Sequence, residues 1–182
     1  YYCTYVDTNY LVRFLALSSS LNIHDKEHRI FALCLDDQSA LILKALNKNS
    51  VSIIHLSELE KFDAELYATR LSRNLVDYYQ TATPCYMRFI FEIHPSVNQV
   101  TFLDPDIYLF SSPQPIFKEI GECSIAIIEN NFSISTSNKS NIFEVSSCIL
   151  LSELINTISL VNTFLFSVGT PAPEENLFRL ND

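Results

Sequence analysis

Short apolar runs of strand length alternate with helical segments along most of the first 130 residues of this chain. The runs "HRIFALCLD" and "SVSIIHL" predict strands, whereas "NYLVRFLALSSSL" carries Leu11, Phe14 and Leu15 at helical spacing and predicts a helix. Such alternation favours βαβ crossovers and a mostly parallel sheet flanked by helices. The sequence therefore predicts an α/β, Rossmann-like fold, in which ligands bind beyond the carboxyl ends of the strands.

The composition of the chain argues against several classes of protein. The 182 residues carry 21 acids against 12 bases, a formal charge of −9 that argues against a nucleic-acid partner. No run of 18 uncharged apolar residues occurs, so we expect no transmembrane segment. The five cysteines are scattered without a C-x-x-C pair, which predicts reduced thiols in a cytoplasmic protein and leaves peripheral association with a membrane open.

The stretch "VTFLDPDIYLF" places two acids at the end of a predicted strand. Alternate residues of an extended chain point to the same side, so Asp104 and Asp106 can converge on one point. Converging carboxylates repel each other unless a cation or a proton lies between them, and their oxygens suit Mn²⁺ or Mg²⁺. A solvated acidic turn is the alternative. A phosphohydrolase is disfavoured, because its motif places Thr or Val where this chain has Tyr108.

Four segments in order resemble the nucleotide-diphospho-sugar transferases of the GT-A glycosyltransferase fold. They are "YCTYVDTNYLVRFLALSSSL", "FALCLDD", "RLSRNLVDYYQTATP" and "VTFLDPDIYLFSSPQPIF", and they span roughly residues 2 to 132. The resemblance implies a metal-dependent, hexosyltransferase-like enzyme with a D-x-D motif. It would move a sugar from a nucleotide-diphosphate donor, by default a UDP-sugar, to a glycan, lipid or protein acceptor. Asp104 and Asp106 would hold the Mn²⁺ or Mg²⁺ ion, and no catalytic residue is assigned.

The resemblance also implies which residues bind the nucleotide sugar. Cys3 and Thr4, expected at the end of the first strand, would face the base and ribose. Asp7, Asn9 and Tyr10 would lie near the same pocket, although Thr8 or Asn9 could equally serve as a helix cap.

Basic residues on the following helices are candidates for the donor diphosphate. Arg88 is preferred, then Arg70, with Arg73 as a competitor; the alternative is that each is a solvated charge on a helix face. Thr83, in "TATP", could line the sugar pocket, while Pro84 would suit the first turn of a helix.

The character of the chain changes after Phe132, where the polar loop "SISTSNKSN" begins. We expect residues 1–132 to form the nucleotide-sugar-binding GT-A-like domain. Residues 133–182 are expected to be a diverged or truncated C-terminal segment of it, so the fold would be incomplete at the C-terminus. This departure from the family pattern leaves an alternative function, a catalytically inactive GT-A-like domain that binds a nucleotide or a partner.

Overall fold

Six strands form one sheet in the computed structural model, which describes residues 1–121, 125–127 and 148–152. The strands are β1 (Tyr2–Val6), β2 (Ile30–Cys34), β3 (Val51–His55), β4 (Gln99–Leu103), β5 (Ile125–Ile127) and β6 (Cys148–Ser152). Their order is β3-β2-β1-β4-β6-β5, and the first four are parallel. β6 pairs antiparallel with both β4 and β5.

The helices of the described residues connect and cover these strands. They are α1 (Leu11–His24), α2 (Asp37–Leu46), α3 (Leu56–Phe62), α4 (Ala64–Thr69), α5 (Leu75–Ile93) and α6 (Gln114–Ile120). A mostly parallel sheet with helices packed against it confirms the predicted α/β, Rossmann-like fold. No helix among residues 1–121 combines the length and the apolar character needed to cross a membrane.

Alternation along each strand divides the core into two layers. In β1, Tyr2 and Val6 pack with the buried residues of α1 and α2, whereas Cys3 packs with those of α5. In β2, Phe31 and Leu33 face α5 in the same way. Successive side chains of a strand point to opposite faces, so a sheet covered on both faces needs continuous apolar strands.

Helix α5 begins nine residues earlier than Pro84, so the prediction that this proline opens a helix is wrong. The start is set by Asn74, whose side-chain oxygen accepts the Asp77 N–H at 3.0 Å. Pro84 lies inside the helix, where a proline removes one backbone hydrogen bond. Burial of the surrounding face, including Tyr78, Tyr86 and Met87, offsets that loss and keeps the helix continuous.

Candidate functional site

Three turns lie side by side at the carboxyl edge of the sheet. Residues 7–10 follow β1, Asp36 lies beyond β2, and Asp104 to Asp106 follow β4. The strand order β2-β1-β4 makes these turns neighbours. Polar residues therefore gather at the edge where α/β folds bind ligands, as the sequence predicts.

The turn between β1 and α1 is closed by Asp7. Its Oδ1 accepts the Tyr10 N–H at 2.8 Å, and its Oδ2 accepts from Asn9 Nδ2 at 3.2 Å. Neither Thr8 nor Asn9 caps the helix, which starts at Leu11 after Tyr10. Asp7 and Asn9 therefore shape the turn that presents Tyr10, whose side chain is exposed.

Asp36 ties this turn to the one after β2. Its Oδ2 accepts the Thr8 N–H, and its Oδ1 accepts both the Thr8 hydroxyl and the Ser39 N–H, each at 2.7 Å. Burial alone would raise the pKa of Asp36, but the hydrogen bonds from Ser39 and Thr8 outweigh it and lower the pKa below 3.8. Asp36 is thus a structural carboxylate that fixes the β1–α1 turn.

The Asp-Pro-Asp segment forms a turn directly after β4. The Ile107 N–H donates to the Asp104 carbonyl at 3.1 Å, Pro105 is buried, and the side chain of Asp106 is half exposed. Asp106 Oδ2 lies 3.4 Å from Arg13 Nη1 on α1. The strand end that the sequence predicts here is confirmed, but Pro105 and Asp106 form a turn and not an extended chain, and the second carboxylate faces outward. That Asp104 and Asp106 converge on one point stays a prediction.

Arg13 joins the two halves of the site and was not predicted from the sequence. Its guanidinium carbon lies 4.7 Å from the centre of the Tyr10 ring, and its Nη1 contacts Asp106. The contact between Arg13 and Tyr10 could have been predicted from the sequence, because residues three apart on a helix are neighbours and Arg13 follows Tyr10 by three. The contact with Asp106, 93 positions away, has no sequence signal.

Two half-buried phenols lie beneath these acids. The Tyr5 ring centroid is 5.5 Å from that of Phe102 and 6.1 Å from that of Tyr79. Burial, together with the nearby Asp104, Tyr10 and Asp106, raises the pKa of Tyr5 to about 12. Tyr5 therefore stays protonated at neutral pH and keeps its O–H as a donor beside the Asp-Pro-Asp turn.

Tyr79, on α5, is the second of these phenols. Burial raises its pKa, Asp7 raises it further, Arg70 lowers it, and Asp36 raises it again. The acids of the β1–α1 turn and of the β2–α2 turn therefore lie within electrostatic range of one phenol. Neither Tyr5 nor Tyr79 was predicted as a site residue, because only the packing of α5 against β1 brings the two phenols together.

Cys3 and Thr4 do not lie at the end of β1, as the sequence analysis expected. The strand continues to Val6, and both residues are buried in its middle. Tyr5, two residues after Cys3, is nearer to the edge and packs against the same layer of the core. The strand extends beyond Thr4 to Val6, because β1 pairs along its whole length with β2.

The two preferred arginines are held by acids on neighbouring helices. Arg88 Nη2 lies 2.7 Å from Asp63 Oδ2, with its guanidinium carbon 5.2 Å from the centre of the Phe62 ring. Arg70 Nη1 lies 2.8 Å from Glu60 Oε1. Arg88 is therefore not a simple solvated charge, whereas the Arg70 side chain is 53% exposed. Contact of either arginine with a donor diphosphate stays a prediction.

The remaining candidates lie within α5 or against it. Arg73 donates to the Thr81 hydroxyl, and the Thr83 hydroxyl donates to the Tyr79 carbonyl at 3.2 Å. Thr83 is buried in the helix, and a role for it in a sugar pocket stays a prediction.

A metal ion at this edge of the sheet would be bound by few protein side chains. Across the described part of the chain, no group of three or more His, Cys, Asp or Glu side chains is placed to hold a metal ion. Asp104 and Asp106 offer carboxylate oxygens, the donor type that Mn²⁺ and Mg²⁺ prefer. Mg²⁺ in particular is commonly bound by one or two carboxylates together with substrate phosphates, and this donor set fits that mode.

Sequence comparison places two bacterial proteins near this chain, and no family model matches it. The uncharacterized protein YfnF of Bacillus subtilis (strain 168) is 26% identical over 141 residues, which cover 78% of this chain and 46% of YfnF. The uncharacterized protein YfnD of the same organism is 23% identical over 133 residues, covering 73% of this chain and 42% of YfnD. The chain thus spans less than half the length of these relatives.

Solved structures show what the fold is. Mouse xyloside xylosyltransferase 1 superposes with a TM-score of 0.60 at 13% identity, over 88% of this chain and 71% of that one. The galactosyltransferase LgtC, in complex with donor and acceptor sugar analogs, gives a TM-score of 0.57 at 11% identity, over 92% and 64%. The bifunctional glycosyltransferase WbbM gives 0.52 at 16% identity, over 90% and 32%. The fold of this chain is that of the GT-A-type glycosyltransferases.

Proposed function

We propose that this chain is the donor-binding part of a metal-dependent glycosyltransferase. It would transfer a sugar from a nucleotide-diphosphate donor, with a UDP-sugar as the default, to a glycan, lipid or protein acceptor. One observation carries the proposal: on a GT-A fold, the Asp104-Pro105-Asp106 turn follows β4 directly beside the β1–α1 turn. A donor that combines a nucleoside with a metal-bound diphosphate needs two such adjacent subsites.

The first subsite would hold the nucleoside. Tyr10 offers an exposed aromatic ring on which a base can stack, and Asp7 and Asn9 supply polar groups in the same turn. Asp36 keeps that turn in place through Thr8. The preformed turn lowers the entropic cost of binding, because few groups need to be ordered.

The second subsite would hold the diphosphate. Asp104 and Asp106 would bind Mn²⁺ or Mg²⁺, which supplies Lewis-acid stabilisation of the leaving diphosphate when bound. The residues of the chain would orient the donor around this turn: Tyr5 offers a protonated phenol beside it, and Pro105 is buried and anchors the turn to the core.

Calorimetry with the complete chain tests this function. Uridine and guanosine diphosphates are titrated with Mn²⁺ and with a chelator, against the wild-type chain and the Asp104→Asn/Asp106→Asn variant. We expect metal-dependent binding of one diphosphate and a loss of at least about 100-fold in the variant, since removal of charged ligands typically costs several kcal/mol.

The matched control is Asp37→Asn, which removes an exposed acid from the same edge without touching the turn after β4. It should bind as the wild-type chain does. Equal binding by the double variant, or binding that persists in chelator, would overturn the metal-dependent donor site. Binding without sugar transfer to any offered acceptor would instead favour the alternative of a nucleotide-binding domain without catalysis.

A further inference from the structure

Arg13 occupies the space between the two proposed subsites, and the inference drawn here rests on the proposed function. Its guanidinium lies over the Tyr10 ring at 4.7 Å and reaches Asp106 Oδ2 at 3.4 Å. A donor with its base near Tyr10 and its metal-bound phosphates near Asp106 would run along this line. The diphosphate lies at the metal end of this line, so its oxygens would come within reach of the guanidinium that contacts Asp106.

Two of the arginines that the sequence analysis preferred are held by acids at shorter distances. Arg70 and Arg88 form ion pairs of 2.8 and 2.7 Å with acids whose side chains are only 10% and 9% exposed, although the Arg70 side chain is itself 53% exposed. The Arg13 pair is longer, and its side chains are 56% and 50% exposed. A long pair between exposed groups contributes little free energy, so it exchanges easily for another anion.

The chemistry of the guanidinium suits this exchange. Its planar fork of N–H donors matches two phosphate oxygens at once. At a site with Asp7, Asp36, Asp104 and Asp106 on neighbouring turns, a polyanionic diphosphate needs cations beyond a single divalent ion. Arg13 supplies one in the required position.

We propose that Arg13 binds the diphosphate of the donor, exchanging its contact with Asp106 for phosphate oxygens when the nucleotide enters. In the free protein its charge offsets that of Asp106. In the bound protein the divalent ion takes over that role, and the arginine turns to the phosphates while keeping its stacking on Tyr10.

The test separates the phosphate from the nucleoside. Uridine, UMP and UDP are titrated calorimetrically with Mn²⁺ against the wild-type chain, Arg13→Gln and Arg13→Lys; the guanosine series is used if the wild-type chain prefers it. Arg29→Gln is the matched control, because Arg29 precedes β2 at the opposite edge of the sheet and bonds the Asn49 carbonyl. Mn²⁺ alone is titrated as well.

We expect Arg13→Gln to weaken UDP about tenfold while uridine changes less than about twofold, because only a charged hydrogen bond to phosphate is lost. Arg13→Lys should recover part of the lost UDP affinity. Mn²⁺ alone should bind to Arg13→Gln at least as well as it binds to the wild-type chain. Equal weakening of uridine and UDP would overturn the proposal and assign Arg13 to the nucleoside. Unchanged UDP binding would overturn it with the donor site intact, whereas no UDP binding by the wild-type chain would overturn the proposed function and this inference with it.

Discussion

Two ion pairs among the described residues join the same two residue types, arginine and aspartate, but differ in contact distance and in burial. Arg88 and Asp63 form a 2.7 Å contact between α5 and the start of α4, and Asp63 is buried. Arg13 and Asp106 form a 3.4 Å contact between α1 and the turn after β4, and both are exposed. The first pair is part of the packing, because Asp63 Oδ1 also accepts the Leu66 N–H at 2.9 Å. The second pair is exposed to solvent, so a ligand can reach it.

The difference teaches how to separate a structural charge from a binding charge. Among the carboxylates, Asp36 is a structural charge like Asp63, since its oxygens accept hydrogen bonds from Thr8 and Ser39 at 2.7 Å. A charge that the protein satisfies with short contacts costs stability when it is removed. A charge with one long, exposed contact costs little to remove, and its loss should appear in binding instead.

The largest effect on stability is expected from Arg88→Met. This change keeps the packing on Phe62 but leaves Asp63 without its cation, which costs about 3 kcal/mol of unfolding free energy, typical for one broken member of a buried pair. Urea denaturation at neutral pH measures the loss. A change below about 0.5 kcal/mol, the range of exposed pairs, would remove the distinction between the two arginines.

A smaller effect is expected from Asp36→Asn, about 1 to 2 kcal/mol at neutral pH, because an amide cannot accept all the donors that the carboxylate accepts. The pKa of Asp36 is lowered in the folded state, so its stabilisation is present above its ordinary value of 3.8 and is lost as pH falls through the folded pKa. The difference between variant and wild type should therefore shrink at acid pH. Denaturation from pH 7 to pH 2 checks this, with Asp37→Asn as the control; a pH-independent difference would contradict it.

The smallest effect is expected from Arg13→Met, the same substitution as in the buried pair. Unfolding free energy should change by less than about 0.5 kcal/mol, because the side chains are half exposed and the contact is long. The same urea titration measures it beside Arg88→Met. A loss comparable to that of Arg88→Met would mean that Arg13 holds the turn after β4 in place and is not available to a phosphate.

Much of the fold could be predicted from local patterns. Apolar runs and helical spacing identify β1 to β4 and α1, because strand and helix periodicities act over a few residues. The boundaries were less accessible: Cys3 and Thr4 were expected at the end of β1 but lie in its middle, and Pro84 suggested a later start of α5. Pairing with β2 and burial of α5 overrode those local signals.

The sequence by itself determined the fold class and the position of Asp104 and Asp106 at a strand end, since both follow from short-range periodicity and turn chemistry. Only the tertiary structure decided which charges are satisfied. Thr8 and Asp36 lie 28 positions apart, Arg88 and Asp63 lie 25 apart, and Arg13 and Asp106 lie 93 apart. Side chains so distant meet only through strand order and helix packing, and no local pattern encodes whether their contact is short and buried or long and exposed.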